Sequence, residues 1–437
     1  MGTGANAAQI YTLLNTVAGM ALGKAAISVC NTEGLVSLGE TVLSTSDNTS
    51  AFYSALASVI GRTYSAYRAL PEVRNGIQKT PLEFGGILRK LDISTIARSK
   101  ANSSWDNSAS ITETILNDKT AAVCHYFSDR GTFEIDTKVI YDYQLKAAFT
   151  DESSMALFID MVFQDMYNGM ELCIRNCENL TICTAIGLAS GYELTTNCCI
   201  NILYAYNQAF GKTLQAEDAL RDADFLRFAA AEIKKHKVFM EEPSALYNPA
   251  GYEKWTPDSE CNILVYEEFA ANIATYLQSS TFHDEMVKLP RYREKSFWQG
   301  AGTGSTADRT QVLIERGTVG VDAVDVAVNG VIACVFDSET MGIMIDFIRT
   351  KSDYKARYEH TEYYHKADWA SYVAPGQQIC VFYIDNYYPL TVPAGDVTDW
   401  ANKYTSYYTK DNTDGTYDAA TSTYSSSTQY YKKQPTS

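Results

Sequence analysis

The chain has 437 residues and a formal net charge of −16, with 46% hydrophobic and 20% charged residues. This length is sufficient for two or three hydrophobic cores, and the composition is typical of a protein that folds over most of its length. The negative net charge argues against a protein whose main function is to bind nucleic acid, because such proteins present a basic surface.

We expect neither export nor membrane insertion. No basic residue precedes Lys24, so the charged start of a signal peptide is missing. No apolar stretch approaches the ~20 residues that span a bilayer. Ten cysteines are scattered without a repeated CxxC pair or a zinc-site spacing. They indicate reduced thiols and synthesis in a reducing cytoplasm.

The first 150 residues divide into two predicted segments. Residues 1–77 form an N-terminal arm with one helix over 51–67, which the polar residues 47–50 can cap. Residues 78–150 are expected to be extended, with a polar loop at 99–107. Period-2 alternation predicts a half-exposed strand there, with these residues on one face: Phe133, Ile135, Thr137, Val139, Tyr141 and Tyr143.

The pattern then changes to helical spacing. Apolar residues recur at steps of three and four: Met155, Phe158, Ile159, Val162, Met166, Met170, Cys173, Cys177 and Leu180. One helix over 151–185 would measure ~50 Å at 1.5 Å per residue. A helix of this length acts as a strut, and its Met and Cys stripe predicts core packing rather than a cofactor site.

The remaining chain mixes helices and strands. We predict a helix over 214–235, a polar stretch over 242–260, a turn at Asn329-Gly330 and a buried strand over 378–384. The last segment, 403–437, contains no Leu, Ile, Val, Phe or Met. Its composition predicts that it cannot order itself.

No motif in the sequence predicts catalysis. The glycine-rich loop 300–305 lacks the Lys of a phosphate-binding loop, and no GxSxG elbow occurs. The five histidines are isolated. His360 and His365 lie five residues apart, which places them on opposite faces of a strand. We therefore predict no enzyme activity and no catalytic, metal or cofactor site.

Three segments carry a resemblance to a known family. Residues 36–70 (VSLGETVLSTSDNTSAFYSALASVIGRTYSAYRAL), 141–171 (YDYQLKAAFTDESSMALFIDMVFQDMYNGME) and 359–384 (EHTEYYHKADWASYVAPGQQICVFYI) look like major capsid proteins of small, short-tailed podoviruses. The order of elements also resembles tailed-phage major capsid proteins in general, whose Johnson fold occurs in encapsulins and herpesvirus shells as well.

The resemblance implies an α+β capsid fold with six regions. They are an N-terminal arm (1–77), an extended β E-loop (78–150), the spine helix of a peripheral domain (151–190), an α/β axial domain (191–335), returning peripheral strands (336–400) and a low-complexity Ser/Thr/Tyr tail (401–437).

The resemblance also implies a function. The protein would self-assemble as hexamers and pentamers into an icosahedral or prolate shell around double-stranded DNA, which it touches non-specifically. Scaffolding and portal proteins are expected partners, and assembly is expected in the host bacterial cytoplasm. The alternatives are an encapsulin-like compartment, a surface or adhesin protein and, last, an unrecognised hydrolase.

Two groups of residues are predicted to contact neighbouring subunits. Phe133 and Ile135 lie on the extended excursion, where a two-stranded ribbon needs apolar cover. Tyr404, Tyr407 and Tyr408 lie in the tail, whose rings could dock on an adjoining subunit. We accordingly expect the tail to cross a subunit boundary and to have little effect on the fold of one subunit.

Overall fold

The structure is a computed structural model. It describes residues 7–22, 32–44, 77–79, 88–93, 122–127, 131–142, 152–191, 194–278, 291–299, 309–318 and 321–435, with a few single residues at 47–55, 144 and 149. Most of the helix predicted over 51–67, the loop predicted over 99–107 and the glycine-rich loop 300–305 lie outside these residues.

Nine helices and sixteen strands are defined within the described residues. The helices are α1 Ala7–Leu22, α2 Thr32–Leu43, α3 Glu152–Ser190, α4 Ile202–Phe210, α5 Ala216–Ala219, α6 Ala223–Met240, α7 Glu267–Gln278, α8 Ala394–Thr398 and α9 Trp400–Lys403. The first eight strands are β1 Leu88–Ile93, β2 Ala122–Phe127, β3 Gly131–Tyr141, β4 Cys199–Asn201, β5 Cys261–Tyr266, β6 Arg293–Lys295, β7 Val312–Thr318 and β8 Val321–Val328. The other eight are β9 Val331–Asp337, β10 Met341–Lys355, β11 His360–Val373, β12 Ile379–Tyr383, β13 Tyr387–Leu390, β14 Tyr408–Lys410, β15 Tyr417–Ala419 and β16 Tyr430–Lys433. No helix among the described residues is long and apolar enough to cross a membrane.

The long helix α3 confirms the predicted strut and, with 39 residues, continues past residue 185, to which the apolar spacing extended. Its buried line follows steps of four residues: Met170, Ile174, Glu178, Ile182 and Ile186. Leu180, predicted in the stripe, is instead 54% exposed. At 100° per residue, position 180 lies almost opposite 178 and 182, so the three-residue step from Cys177 leaves the buried face.

A long antiparallel sheet lies beside this helix, in the order β10-β11-β3. Thr361, Tyr363, His365 and Ala367 are buried along β11, while the residues between them are half-buried. This alternation places His360 and His365 on opposite faces, as predicted. Ala367 packs with Met170 and Ile174 of α3, so one face of the sheet covers the strut.

A five-stranded sheet in the order β4-β12-β9-β5-β6 forms the centre of a second layered body, the axial body. In β12, Cys380 and Phe382 belong to a core with α4, α6 and α7, while Ile379 and Val381 belong to a core with the end of α3. Both faces of β12 are therefore buried. This explains why residues 379–384 form an unbroken apolar run and confirms the buried strand predicted over 378–384.

The helix predicted over 214–235 is wrong in its bounds, because the chain forms two helices, α5 and α6. The backbone turns at Leu220 and Asp222, and the Asp222 carboxylate accepts a hydrogen bond from the Phe225 amide at 2.8 Å. Asp222 is thus the N-cap of α6. A capping side chain begins a new helix where hydrophobic spacing alone suggests a continuous one.

The C-terminal segment is ordered within the whole chain, where the preceding residues Val392 and Trp400 supply part of its core; that it could not order by itself remains a prediction. Residues 385–435, here the C-terminal module, form a four-stranded sheet in the order β13-β16-β14-β15. Its core is aromatic, consisting of Val392, Trp400, Tyr407, Ala420 and Tyr430. Tyrosine and tryptophan rings supply the buried area that aliphatic residues would otherwise provide.

Candidate assembly surface

The buried titratable groups in the axial body serve packing. His236 on α6 places its Nδ1 atom 2.8 Å from the Tyr247 hydroxyl and its Nε2 atom 3.3 Å from Glu232. Burial lowers the pKa of His236, with a smaller effect from Lys235, and burial raises the pKa of Tyr247 to about 12. Both groups are therefore neutral near pH 7, and the hydrogen bond between them satisfies two buried polar atoms.

Three buried or partly buried cysteines, Cys177, Cys183 and Cys198, are poor nucleophiles and poor metal ligands. Burial raises the pKa of the thiols of Cys177 and Cys198 to about 11 and that of Cys183 to about 12. Cys183 donates its thiol hydrogen to the Trp298 carbonyl at 3.1 Å. Because the thiolate is the reactive form, these protonated side chains act as core residues. Within the described ranges, no group of His, Cys, Asp or Glu side chains could hold a metal ion.

An exposed apolar cluster lies at the C-terminal end of α6. Val238, Phe239, Leu246 and Trp255 are each between 48% and 53% exposed. Backbone contacts bring the segments that carry them together: the Thr256 amide donates to the Met240 carbonyl at 2.7 Å, and residues 244 and 254 form an antiparallel bridge. We call these four residues the helix-end patch. An exposed patch of large apolar side chains marks a surface that a partner covers.

Charges of both signs surround the helix-end patch. Lys234 and Lys235 are exposed on α6, and Glu242, Asp258 and Glu260 are exposed on the loops that follow. Lys237 is bound within the chain by Glu241 and Asp258. Exposed charges of both signs near an apolar patch allow two copies of one chain to meet by complementary charges.

Two leucines are exposed on one side of α3. Leu172 and Leu180 are both more than half exposed and lie eight residues apart, which places them on one side of the helix. The residues between them on this side, Arg175 and Asn176, are also exposed. This side of α3 faces away from the two sheets.

The structure brings neither predicted contact group to the helix-end patch. Phe133 and Ile135 lie in β3, at register positions opposite Ala367 and His365 of the same chain. The structure does not describe their side chains, and their contact with a neighbouring subunit remains a prediction.

The three predicted tail tyrosines lie in the C-terminal module. Tyr407 is fully buried there, between Trp400 and Tyr430. Its ring therefore packs within its own chain. Tyr404 and Tyr408 are only partly covered, and contact between them and a neighbouring subunit remains a prediction.

Sequence reasoning did not identify the helix-end patch. At 100° per residue, Val238 and Phe239 both lie about 100° or more around α6 from the buried Ile233 and Met240, so neither side chain is on the buried face of the helix. The one available signal was Trp255, a large aromatic residue within a stretch that is otherwise polar.

The chain is similar to known proteins over most of its length. A family model described as Phi29-like phage major capsid protein matches residues 14–383. No curated protein matches the sequence significantly. The match ends at residue 383, two residues before the C-terminal module begins.

Similarity to solved structures is weaker than the match to the family model, as three of them illustrate. The capsid of Staphylococcus phage Andhra is 9% identical, with a TM-score of 0.45, 70% of this chain covered and 82% of that one. The capsid of cyanophage P-SCSP1u is 13% identical, with a TM-score of 0.38 and coverage of 74% and 92%. A virus-like particle from Pyrococcus furiosus is 10% identical, with a TM-score of 0.31 and coverage of 75% and 96%.

Proposed function

The chain belongs to the family of Phi29-like phage major capsid proteins, and from this premise we propose that its copies associate into a closed shell through the helix-end patch. The family match carries the function, a structural component of a phage capsid with an α+β capsid fold. It agrees with the resemblance to tailed-phage capsid proteins in the sequence. It favours neither an encapsulin-like compartment nor an adhesin.

The helix-end patch supports the choice of contact surface. A Trp, a Phe, a Leu and a Val, each about half exposed, lie on one end of the axial body with charges of both signs around them. Burying such side chains against a second copy contributes ~25 cal/mol for each Å² of apolar area removed from water. Repeated around a ring of copies, a modest contact of this kind stabilises a large assembly.

The test is an assembly experiment with two double variants. Phe239→Asp with Trp255→Asp places charge on the patch, whereas Phe239→Leu with Trp255→Phe keeps it apolar. We expect the charged variant to remain a folded subunit without shells, and the apolar variant to form shells like the natural chain. Electron microscopy and sedimentation measure the shells, and circular dichroism measures the fold. Shells of normal yield from the charged variant would rule out the patch as a contact.

We also propose the partners that the shell requires. Hexamers and pentamers of this chain would form the wall, with scaffolding and portal proteins acting during assembly in the host cytoplasm. Double-stranded DNA would be contained without tight binding, because the chain carries a net charge of −16. Purified subunits should show no retention of linear duplex DNA at ~150 mM salt, and tight, salt-sensitive retention would contradict this part of the proposal.

A further inference from the structure

The C-terminal module follows the family-matched residues 14–383, so the family match does not cover it. The buried members of its core all lie between Val392 and Tyr430. The two cores of the axial body end at Ile384 and Tyr383. Among the described residues, the module and the axial body therefore have separate apolar cores that meet at residues 384–386.

The two bodies meet along a seam of hydrogen bonds at three places. At the first, the Asn201 side chain donates to the Tyr387 carbonyl at 3.0 Å. At the second, the Gln434 side chain accepts a hydrogen bond from the Asn207 side chain. These contacts join the first and last parts of the module to α4 and its N-cap.

The third contact holds the loop between β14 and β15. Gln311 and Asn329 each donate a side-chain amide hydrogen, at 2.8 Å, to the carbonyls of Asp414 and Gly415 respectively. Gln311 also donates to the Asn329 side chain at 2.8 Å. The predicted turn at Asn329-Gly330 is thus the place where the module meets the axial sheet.

One ring contact accompanies these hydrogen bonds: Tyr204 of α4 stacks on Tyr388 of β13, with centroids 4.1 Å apart. The contacts in this seam are mainly hydrogen bonds, whereas a hydrophobic interface is held by buried apolar area. When the seam opens, water can replace each hydrogen bond, and neither apolar core is exposed. The net contribution of each hydrogen bond is ~1 kcal/mol, so such a seam opens more easily than either core unfolds.

From this geometry we infer that residues 385–435 form a clamp that closes over the axial body and opens as one folded unit, hinged at residues 384–386. In the closed state the clamp satisfies the buried side chains of Asn201 and Asn207. Asn201 donates to the carbonyls of Asp385 and Tyr387, both at 3.0 Å. The clamp acts within one chain, unlike a tail that crosses to a neighbour.

The experiment is hydrogen exchange measured by mass spectrometry on full-length subunits. Gln311→Ala with Gln434→Ala removes one seam contact from each side, and Gly415→Ala forces a Cβ atom to within 2.5 Å of the side chains of Asn329 and Gln311. Gly395→Ala is the matched control, because its Cβ would meet nothing within 4 Å in the same module. Segment 212–216 reports on the seam, since the Ala216 amide donates to the Asn386 side chain at 2.7 Å.

We expect the double variant to accelerate exchange in 212–216 about tenfold, corresponding to ~1.4 kcal/mol, with no change in β9 or in the β13–β16 ladder. Gly415→Ala should act in the same direction, and Gly395→Ala should leave every segment unchanged. Equal acceleration in 212–216, β9 and the β13–β16 ladder would show one cooperative unit and overturn the clamp. Unchanged exchange in 212–216 for both seam variants would also overturn it, because the seam hydrogen bonds would then contribute nothing to keeping the clamp closed.

Discussion

The Tyr417 hydroxyl donates a hydrogen bond to Asp385 Oδ2 at 2.7 Å, although Asp385 is only 7% exposed. Burial raises the pKa of the Asp385 carboxyl, against the opposing effects of Lys410 and of the hydrogen bonds from Tyr387 and Tyr417. Ionising the Asp385 carboxyl in the folded chain therefore costs free energy, because burial removes it from water and the hydrogen bonds offset this loss only partly.

The raised pKa of Asp385 predicts a pH-dependent contribution to the free energy of unfolding, and Asp385→Asn should remove that contribution. Because the folded-state pKa is raised, the contribution of Asp385 to stability is fully present below the unfolded pKa of ~3.9 and is lost as pH rises through the folded value. The free energy of unfolding of Asp385→Asn relative to the natural chain should therefore increase from pH 4 to pH 7. Denaturant titrations of both proteins check this, and a difference that stays constant with pH would contradict it.

Gly330 should tolerate no side chain. Its φ angle is +63°, and a Cβ there would lie 1.9 Å from the Ile384 carbonyl oxygen. Gly211 is the matched control, with φ +61° and nothing within 4 Å of its Cβ. We expect Gly211→Ala to cost ~1–2 kcal/mol for the left-handed backbone, and Gly330→Ala to cost ~4 kcal/mol or more. Equal losses in thermal or denaturant unfolding would show that the turn relaxes around the added methyl.

The two sides of α3 should respond differently to truncation. Ile186 is fully buried, whereas Leu180 is 54% exposed. We expect Ile186→Ala to lower the free energy of unfolding of isolated subunits by ~2–5 kcal/mol, and Leu180→Ala by no more than ~0.5 kcal/mol. If Leu180→Ala is as damaging as Ile186→Ala in subunits that are not assembled, the exposed side of α3 is covered within the chain.

Phe133 and Ile135 provide a test of the extended segment. If they contact a neighbouring subunit, replacing both with Asp should block shell formation and leave the helical signal of the subunit intact. Thr137→Asp, in the same strand and on the same alternate set, is a control for the added charge. An unfolded double variant would place both side chains in the internal core, in keeping with their register opposite the buried Ala367 and His365.

Local pattern predicted the elements whose periodicity is strong. The alternation through Phe133 and Tyr141 predicted β3, and the spacing from Met155 to Cys177 predicted α3. The largely apolar run 378–384 predicted β12, and Asn329-Gly330 predicted the turn before β9. In each case the signal is contained in neighbouring residues, because backbone period and turn conformation are properties of a short segment.

The sequence by itself determined the strut, the long strands, the absence of a recognisable catalytic motif and the resemblance to a capsid family. Only the tertiary structure decided that Leu180 of α3 is exposed and that Phe239 and Trp255 are exposed as well. It also decided that Tyr407 lies in a folded module. Burial depends on which distant segments meet: Asp385 with Tyr417, Asn207 with Gln434, Asn329 with Gly415. A segment without aliphatic residues orders when aromatic rings and polar partners from elsewhere in the chain replace the missing apolar area and satisfy its hydrogen bonds.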